Sequence, residues 1–271
     1  MMDFLNTSDK KSKKEKKEED FTFDFPDNLN QEFSASLHDA NDYMFGKVSR
    51  ERVEELLNDA GIFSILERKG FKNHSLEISL LSILDNRIYI RNEKGEILVH
   101  MRLKSNELFL KKIDETLKLI YIDWLMTQNP NQKNTKKELY EGQEFSGLGI
   151  FAEISDFILR LSREINVHGV FNVPEYFHDA VLFHKNFRFL DPVKEGQFRH
   201  ILENYRKIGL RKLSDLVHRE KFTFEDTGLP YNWTYGEMFY SDWPTINAKI
   251  FDSKYMDELN EAKKRKIIYE T

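Results

Sequence analysis

Apolar positions change their spacing along this chain, and each change marks a different kind of element. Between Ser49 and Arg68, Val53, Leu56, Leu57, Ile62 and Leu66 recur at near-helical spacing behind a serine suited to cap a helix. That pattern predicts one helix, ended by Gly70. From Ser75 the period becomes that of strands. Ser75–Leu84, Arg87–Arg91 and Glu96–Leu103 read as three strands rich in Ile, Leu and Val, the last two joined by the hairpin turn Asn92-Glu93-Lys94-Gly95. A fourth strand, Leu117–Thr127, is almost continuously apolar and is expected to be central, buried on both faces.

A polar loop follows from Gln128 to Gly142. Beyond it, Ile150, Phe151, Ile154, Phe157, Ile158, Leu161 and Ile165 make one stripe while Glu153, Asp156, Arg160 and Arg163 face away, the pattern of a helix lying on a sheet. Val167–Val173 is then a short strand, Pro174 starts a second helix, and Asp191-Pro192 follows it. Two more helices are predicted, from about Lys194 to Arg206 and from Leu210 to Arg219. The aromatic-rich segment Pro230–Tyr240 is expected to finish the sheet as an edge strand and wall off a pocket. The order predicts an α/β domain whose mixed, largely antiparallel central sheet is flanked by helices. It spans 21–271, with a core of about 48–192 and a C-terminal elaboration over 193–271. Residues 1–20 form a charged tail, nearly all Lys, Glu, Asp and Ser from Asp9 to Asp20, and are expected to be disordered.

Composition narrows the function. With 271 residues, 40% of them hydrophobic, the chain can bury a substantial core. Its 41 basic and 46 acidic residues leave a net charge of -5, so no nucleic-acid partner is expected. No apolar run approaches a membrane span, and Met1-Met2-Asp3-Phe4-Leu5-Asn6 lacks the regions of a secretory signal, which makes a cytoplasmic location the expectation. Having no cysteine excludes disulfides, thiolate zinc sites and a cysteine relay for acyl groups. Acyl transfer here would be direct, or use a hydroxyl.

Candidate chemistry centres on Glu144-Phe145-Ser146-Gly147-Leu148-Gly149, a glycine-bearing turn that opens the amphipathic helix at Ile150. Such turns present unpaired backbone N–H groups to a phosphate. Taken alone, Gly147 to Ala152 also fits the dinucleotide fingerprint of an oxidoreductase, with Glu175 placed as the ribose acid. Against that reading, the turn lies well beyond its strand, and antiparallel strands come first. No Gly-Lys-Ser/Thr follows, as a triphosphate loop requires. Asp123 is the one carboxylate inside the fourth strand and is read as sharing a face with Tyr121 and Leu125. Buried and unpaired it would have a raised pKa suited to a base; alternatively it pairs with a neighbour. Glu175 and His178 have Glu-x-x-His spacing with His184 close behind, a single match, and no metal is expected.

Together with Ala180-Val181-Leu182-Phe183-His184-Lys185-Asn186-Phe187-Arg188-Phe189, the glycine turn resembles the two signature segments of the GNAT superfamily of acyl-CoA-dependent N-acyltransferases, over about Val48–Phe189. Gly147 and Gly149 fit both small positions of the family's acyl-CoA loop, and Glu144 stands where the family carries Gln or Arg. A carboxylate there repels a pyrophosphate unless it points away or Lys136 or Lys137 compensates. In the second segment Ala180, Phe183 and Phe189 keep the pattern, while His184 replaces a tyrosine, Arg188 a glycine and Phe177 an asparagine. The resemblance implies a GNAT-like fold using acetyl-CoA or a longer acyl-CoA as co-substrate and an amine-bearing acceptor. It implies a pyrophosphate held around Glu144, Phe145, Ser146, Gly147, Leu148, Gly149 and Ile150. An N–H around Leu125, Met126 and Thr127, on a strand that splays from the fifth, would polarise the thioester. Asp123 would act as base and His184 would protonate the CoA thiolate, although a helix histidine satisfied by a neighbour is the plainer reading. The same fold without catalysis, a CoA-binding or interaction module, is the alternative that Glu144, Phe177 and His184 favour.

Overall fold

The computed structural model of the chain describes residues 43–82, 84–132 and 144–269, which belong to one unit running from His38 to Thr271. The charged tail, Lys136, Lys137 and most of the loop expected at 128–142 lie outside the described residues. A two-residue hairpin, β1 (Tyr43–Met44) and β2 (Val48–Ser49), leads into α1 (Arg50–Asp59). The Ser49 side chain accepts a hydrogen bond from the Arg52 N–H, as its N-cap role requires. The single helix expected to Arg68 is two. Gly61, at φ 79°, takes the left-handed conformation after α1, and α2 (Ile62–Arg68) restarts beyond it. Val53, Leu56, Leu57, Ile62 and Leu66 still enter one core, so the apolar spacing survives a break that it does not reveal.

Four strands then form an antiparallel meander: β3 (His74–Ser82), β4 (Asp85–Asn92), β5 (Ile97–Leu110) and β6 (Glu115–Thr127). After α3 (Phe151–Glu164) the chain returns as β7 (Gly169–Asn172), parallel to β6. α4 (Phe177–Phe183) starts later than Pro174, because the chain leaves β7 extended and Tyr176 is still extended at φ -107°, ψ 149°. Next come β8 (Arg188–Phe189), α5 (Pro192–Tyr205), α6 (Leu210–His218), β9 (Phe222–Phe224) and β10 (Met238–Tyr240). α7 (Pro244–Ile250), α8 (Ser253–Lys264) and β11 (Ile267–Tyr269) complete the described chain, β11 pairing with β9. Asp191 caps α5 by accepting from the N–H groups of Val193 and Lys194, ahead of Pro192 at the first helical position.

The main sheet has the order β3-β4-β5-β6-β7-β10-β8 and is antiparallel except at β6–β7. β6 is central, as its apolarity predicts, but burial on both faces holds only around Leu119 and Ile120; Trp124 is 53% exposed. The aromatic segment contributes an interior strand rather than an edge one, since β10 lies between β7 and β8 and pairs with both. Residues 193–271 therefore help build the central sheet. One face of that sheet packs Ile88, Ile90, Met101, Leu103, Ile120 and Val170 against Val53, Leu57, Phe157 and Ile158 of the helices. A smaller cluster joins Leu117, Leu119, Phe171 and Phe239 to Ile246 and Ile250.

Gly169 is where this arrangement tolerates no side chain. A Cβ there would meet the Tyr240 carbonyl oxygen and lie 2.9 Å from the Phe239 ring. Gly169→Ala should force β7 and β10 apart at a cost of about 1–3 kcal/mol, read as a lowered melting temperature.

Candidate active site

β6 and β7 pair only at Leu119 with Gly169, Ile120 with Val170 and Tyr121 with Phe171. From Ile122 to Thr127 β6 has no strand partner on that side among the described residues, and β7 ends at Asn172. The two strands therefore part after Tyr121. A register shift on the other side of β6 falls at the same place. Leu103 lies opposite Ile122 and Arg102 opposite Trp124, so Asp123 is one residue too many, a β-bulge. Beyond a bulge the alternation of faces inverts. Leu125 joins the core on the helix side, with its partner Met101, and leaves the face it was expected to share with Asp123. Thr127 follows Leu125 to the helix side.

That inversion anchors the glycine turn. Thr127 Oγ1 accepts a hydrogen bond from the Leu148 N–H at 3.2 Å, the Asn129 N–H bonds the Ser146 carbonyl at 2.8 Å, and Ser146 Oγ donates to Gln132 Oε1 at 2.8 Å. Gly147 is tight against β6, since a Cβ would lie 3.3 Å from Thr127 Oγ1. Gly149 sits at φ 66°, where a side chain is strained. Leu148 and Ile150 are buried while Gly147 and Gly149 are exposed, so the apolar side chains pin the turn and the glycine backbone faces solvent. The first helical bond of α3 runs from the Ile154 N–H to the Ile150 carbonyl, and no side chain caps the N-terminus at Ile150. Phe145 and Ser146 are half-buried and Glu144 is exposed.

Asp123 is committed elsewhere. Lys104 Nζ lies 2.8 Å and Arg102 Nη1 3.1 Å from its two oxygens. Asp85 joins the same chain of charges through Arg102 at 2.8 Å and Arg87 at 3.0 Å. The Arg87 hydrogen bond, with Arg102 assisting, holds the Asp85 carboxyl well below the usual carboxylate range. The condition that would make Asp123 a base, burial without a partner, is not met.

His184 ends α4 with Nε2 2.7 Å from Glu195 Oε1. Glu195 is fully buried and also accepts from Arg199 Nε at 2.7 Å and the Phe189 N–H at 3.0 Å. Burial pushes its carboxyl up, but the His184 hydrogen bond and charge, the Phe189 N–H and Arg199 outweigh this and hold it below its ordinary value. The network ties α4, β8 and α5 together. Phe183 against Phe151 at 4.9 Å and Asn186 Nδ2 on Ser155 Oγ at 3.0 Å join it to α3. His178 is engaged separately, with Nδ1 on Ser214 Oγ at 3.0 Å and Nε2 3.4 Å from Asp179. Burial first, then His218 and Arg211, push His178 down to about 4. His178 and His184 thus serve different partners. Among the described residues, no group of three His, Cys, Asp or Glu is arranged to hold a metal ion.

Two residues that sequence reasoning passed over carry the described structure's buried side-chain polar atoms without a hydrogen-bond partner, His100 Nε2 and Asn172 Oδ1. His100 lies opposite Met126 on β6, and Asn172 is the last residue of β7. Both border the unpaired stretch of β6. Only the register made them visible: neither stands in a motif.

No protein-family sequence model matches the chain, and no curated protein matches it. No helix among the described residues is long and apolar enough to cross a membrane.

Lys194, buried to 8% exposure beside Glu195, supplies a pH test of this region. Its Nζ lies 4.1 Å from the Trp233 ring centroid and donates to the Thr234 carbonyl. Burial pushes it down to about 8, against the pull of Asp191 and Glu237. Below pH 8 both folded and unfolded chains carry the proton and the burial penalty is fully present. Between about pH 8 and the ordinary value of 10.5 only the unfolded chain keeps it, so stability rises with pH. Relative to Lys194→Met, the unaltered protein should gain up to about 3 kcal/mol across that window, measured by urea unfolding at stepped pH.

Proposed function

We propose that this chain is an acyl-CoA-dependent N-acyltransferase of GNAT type that transfers an acyl group directly to an amine. The observation that carries the reading is the parting of β6 from β7 after Tyr121 and Phe171, with an uncapped glycine turn at its mouth. In the family this chain resembles, the fourth strand splays from the fifth to admit the acyl group. Counted from β3, the first strand of the main sheet, β6 and β7 are the fourth and fifth in chain order.

In this reading the exposed N–H groups at Gly147 and Gly149 bind the pyrophosphate, assisted by the positive end of the α3 dipole. Leu148 contributes packing instead, because its N–H belongs to Thr127. Asn172 Oδ1, buried and unpartnered, accepts an N–H from one of the amides of the CoA arm. An N–H of Leu125 or Met126, past the bulge, polarises the thioester carbonyl. The amine attacks that carbonyl without a covalent enzyme intermediate, and the thiolate takes its proton from solvent. His184, held by Glu195, acts by fixing the end of α4. A second reading, a CoA-binding module without catalysis, is favoured by the ion pairs that occupy Asp123 and by the hydrogen bond to Glu195 that engages His184. The dinucleotide reading is disfavoured by the antiparallel β3–β6 meander and its single parallel pair.

Titration calorimetry with acetyl-CoA, longer acyl-CoAs and NADH tests the assignment. Acyl-CoA should bind more tightly than NADH, and the reverse order would move the protein to the dinucleotide class. Glu144→Gln should strengthen acyl-CoA binding by at most about 1 kcal/mol, with the gain shrinking as salt is added. Unchanged affinity at low salt would show that Glu144 points away from the phosphates.

A further inference from the structure

We propose that His100 is the base that takes the proton from the acceptor amine, and that the acceptor reaches the acyl group on the sheet face opposite α3. This rests on the acyltransferase reading. His100 alternates along β5 with Met101, which packs in the helix-side core, so its ring lies on the other face. Its cross-strand neighbour there is Met126, in the stretch of β6 that lacks a β7 partner. Directly opposed residues hold their Cβ atoms about 4.5–5.5 Å apart. The ring is thereby placed beside the backbone assigned to the thioester carbonyl.

Three further observations suit His100 to the role and separate it from Asp123. The ring is fixed by stacking on Tyr89, with centroids 4.3 Å apart and planes at 19°. Nε2 has no partner, whereas both oxygens of Asp123 are taken by cations. Burial foremost, and then the charges of Arg87, Arg91 and Arg102, push the imidazole below its ordinary value, which keeps it neutral at pH 7. Trp124, its ring 6.4 Å from that of His100, is more than half exposed, so an acceptor can displace it without disturbing the core. In the step itself the amine nitrogen forms a bond to the thioester carbon and the carbon–sulfur bond breaks. The amine proton passes to Nε2, the electron pair leaves on sulfur, and nothing is oxidised or reduced. Nδ1 carries the ring's own proton throughout.

The test uses acetyl-CoA with a fixed set of primary amines (ethanolamine, putrescine, lysine methyl ester and phenethylamine) and with water alone, where slow hydrolysis reports the same base. His100→Gln should bind acetyl-CoA within twofold of the unaltered protein by calorimetry and lose about 10²-fold or more in kcat. In His100→Gly, added imidazole should restore part of the rate while leaving the unaltered protein unaffected. Retained turnover in His100→Gln, or a folded His100→Gly that imidazole does not rescue, overturns the assignment of His100 alone. Failure of the unaltered protein to bind acetyl-CoA, or to turn it over with any acceptor, overturns the acyltransferase reading and the role of His100 with it. Should the variants not fold, ¹⁵N NMR of the unaltered protein decides: an unprotonated Nε2 at pH 7 supports the assignment and a protonated one overturns it.

Discussion

Asp123 adds one residue to β6 that β5 does not match, and the inversion of faces beyond it organises the whole candidate site. Without the extra residue, Leu125 and Thr127 would point away from the helices, and the glycine turn would lose the hydroxyl that receives the Leu148 N–H. With it, Trp124 and Met126 turn to the face that carries His100, while the strand bends at the point where its pairing with β7 stops. The anchoring of the turn and the choice of Trp124 and Met126 as neighbours of His100 both follow from this local irregularity, and the β6–β7 pairing stops beside it. The cost of that irregularity, an interrupted ladder at the centre of a sheet, is offset by the apolar contacts of β6 with the helices on one side and by the ion pairs of Asp123 on the other.

The sequence made the long elements legible because their apolar spacing is a direct record of which side chains meet the core. β3 to β6, the amphipathic α3 and the Ser49 cap all follow from that record. What it hid was conformation decided at single residues. Gly61 breaks a helix without disturbing the stripe, and Tyr176 stays extended after Pro174. The bulge moves Leu125 to the other face although its neighbours still alternate in the text of the sequence. The glycine turn could be found from its residues, since exposed Gly147 and Gly149 and buried Leu148 and Ile150 have an obvious local pattern. His100 and Asn172 could not, because each is defined by lacking a partner, and partnership is a property of the assembled sheet.

The same distinction governs the residues drawn from the second motif. Ala180, Phe183 and Phe189 are buried, and the α4–β8 segment packs on the start of α3 through Phe183 and Asn186. His184 keeps a defined place, but the buried carboxylate of Glu195, eleven residues on, determines what its ring can do. A buried acid that gathers an imidazole, a guanidinium and a backbone N–H stiffens the corner where α4, β8 and α5 meet.

β10 lies between β7 and β8, yet it is made long after both. While the ribosome is still extending the chain through α5 and α6, one edge of β7 has no strand beside it, and β8 has nothing to join. Asn172 has Met238 of β10 as its cross-strand partner, so this end of β7 is completed late in synthesis. Closing a pair so distant in sequence is slow compared with zipping the β3–β6 meander. The nascent chain therefore passes through a stage with its antiparallel half formed and an apolar strand edge exposed, the kind of intermediate on which holding chaperones act.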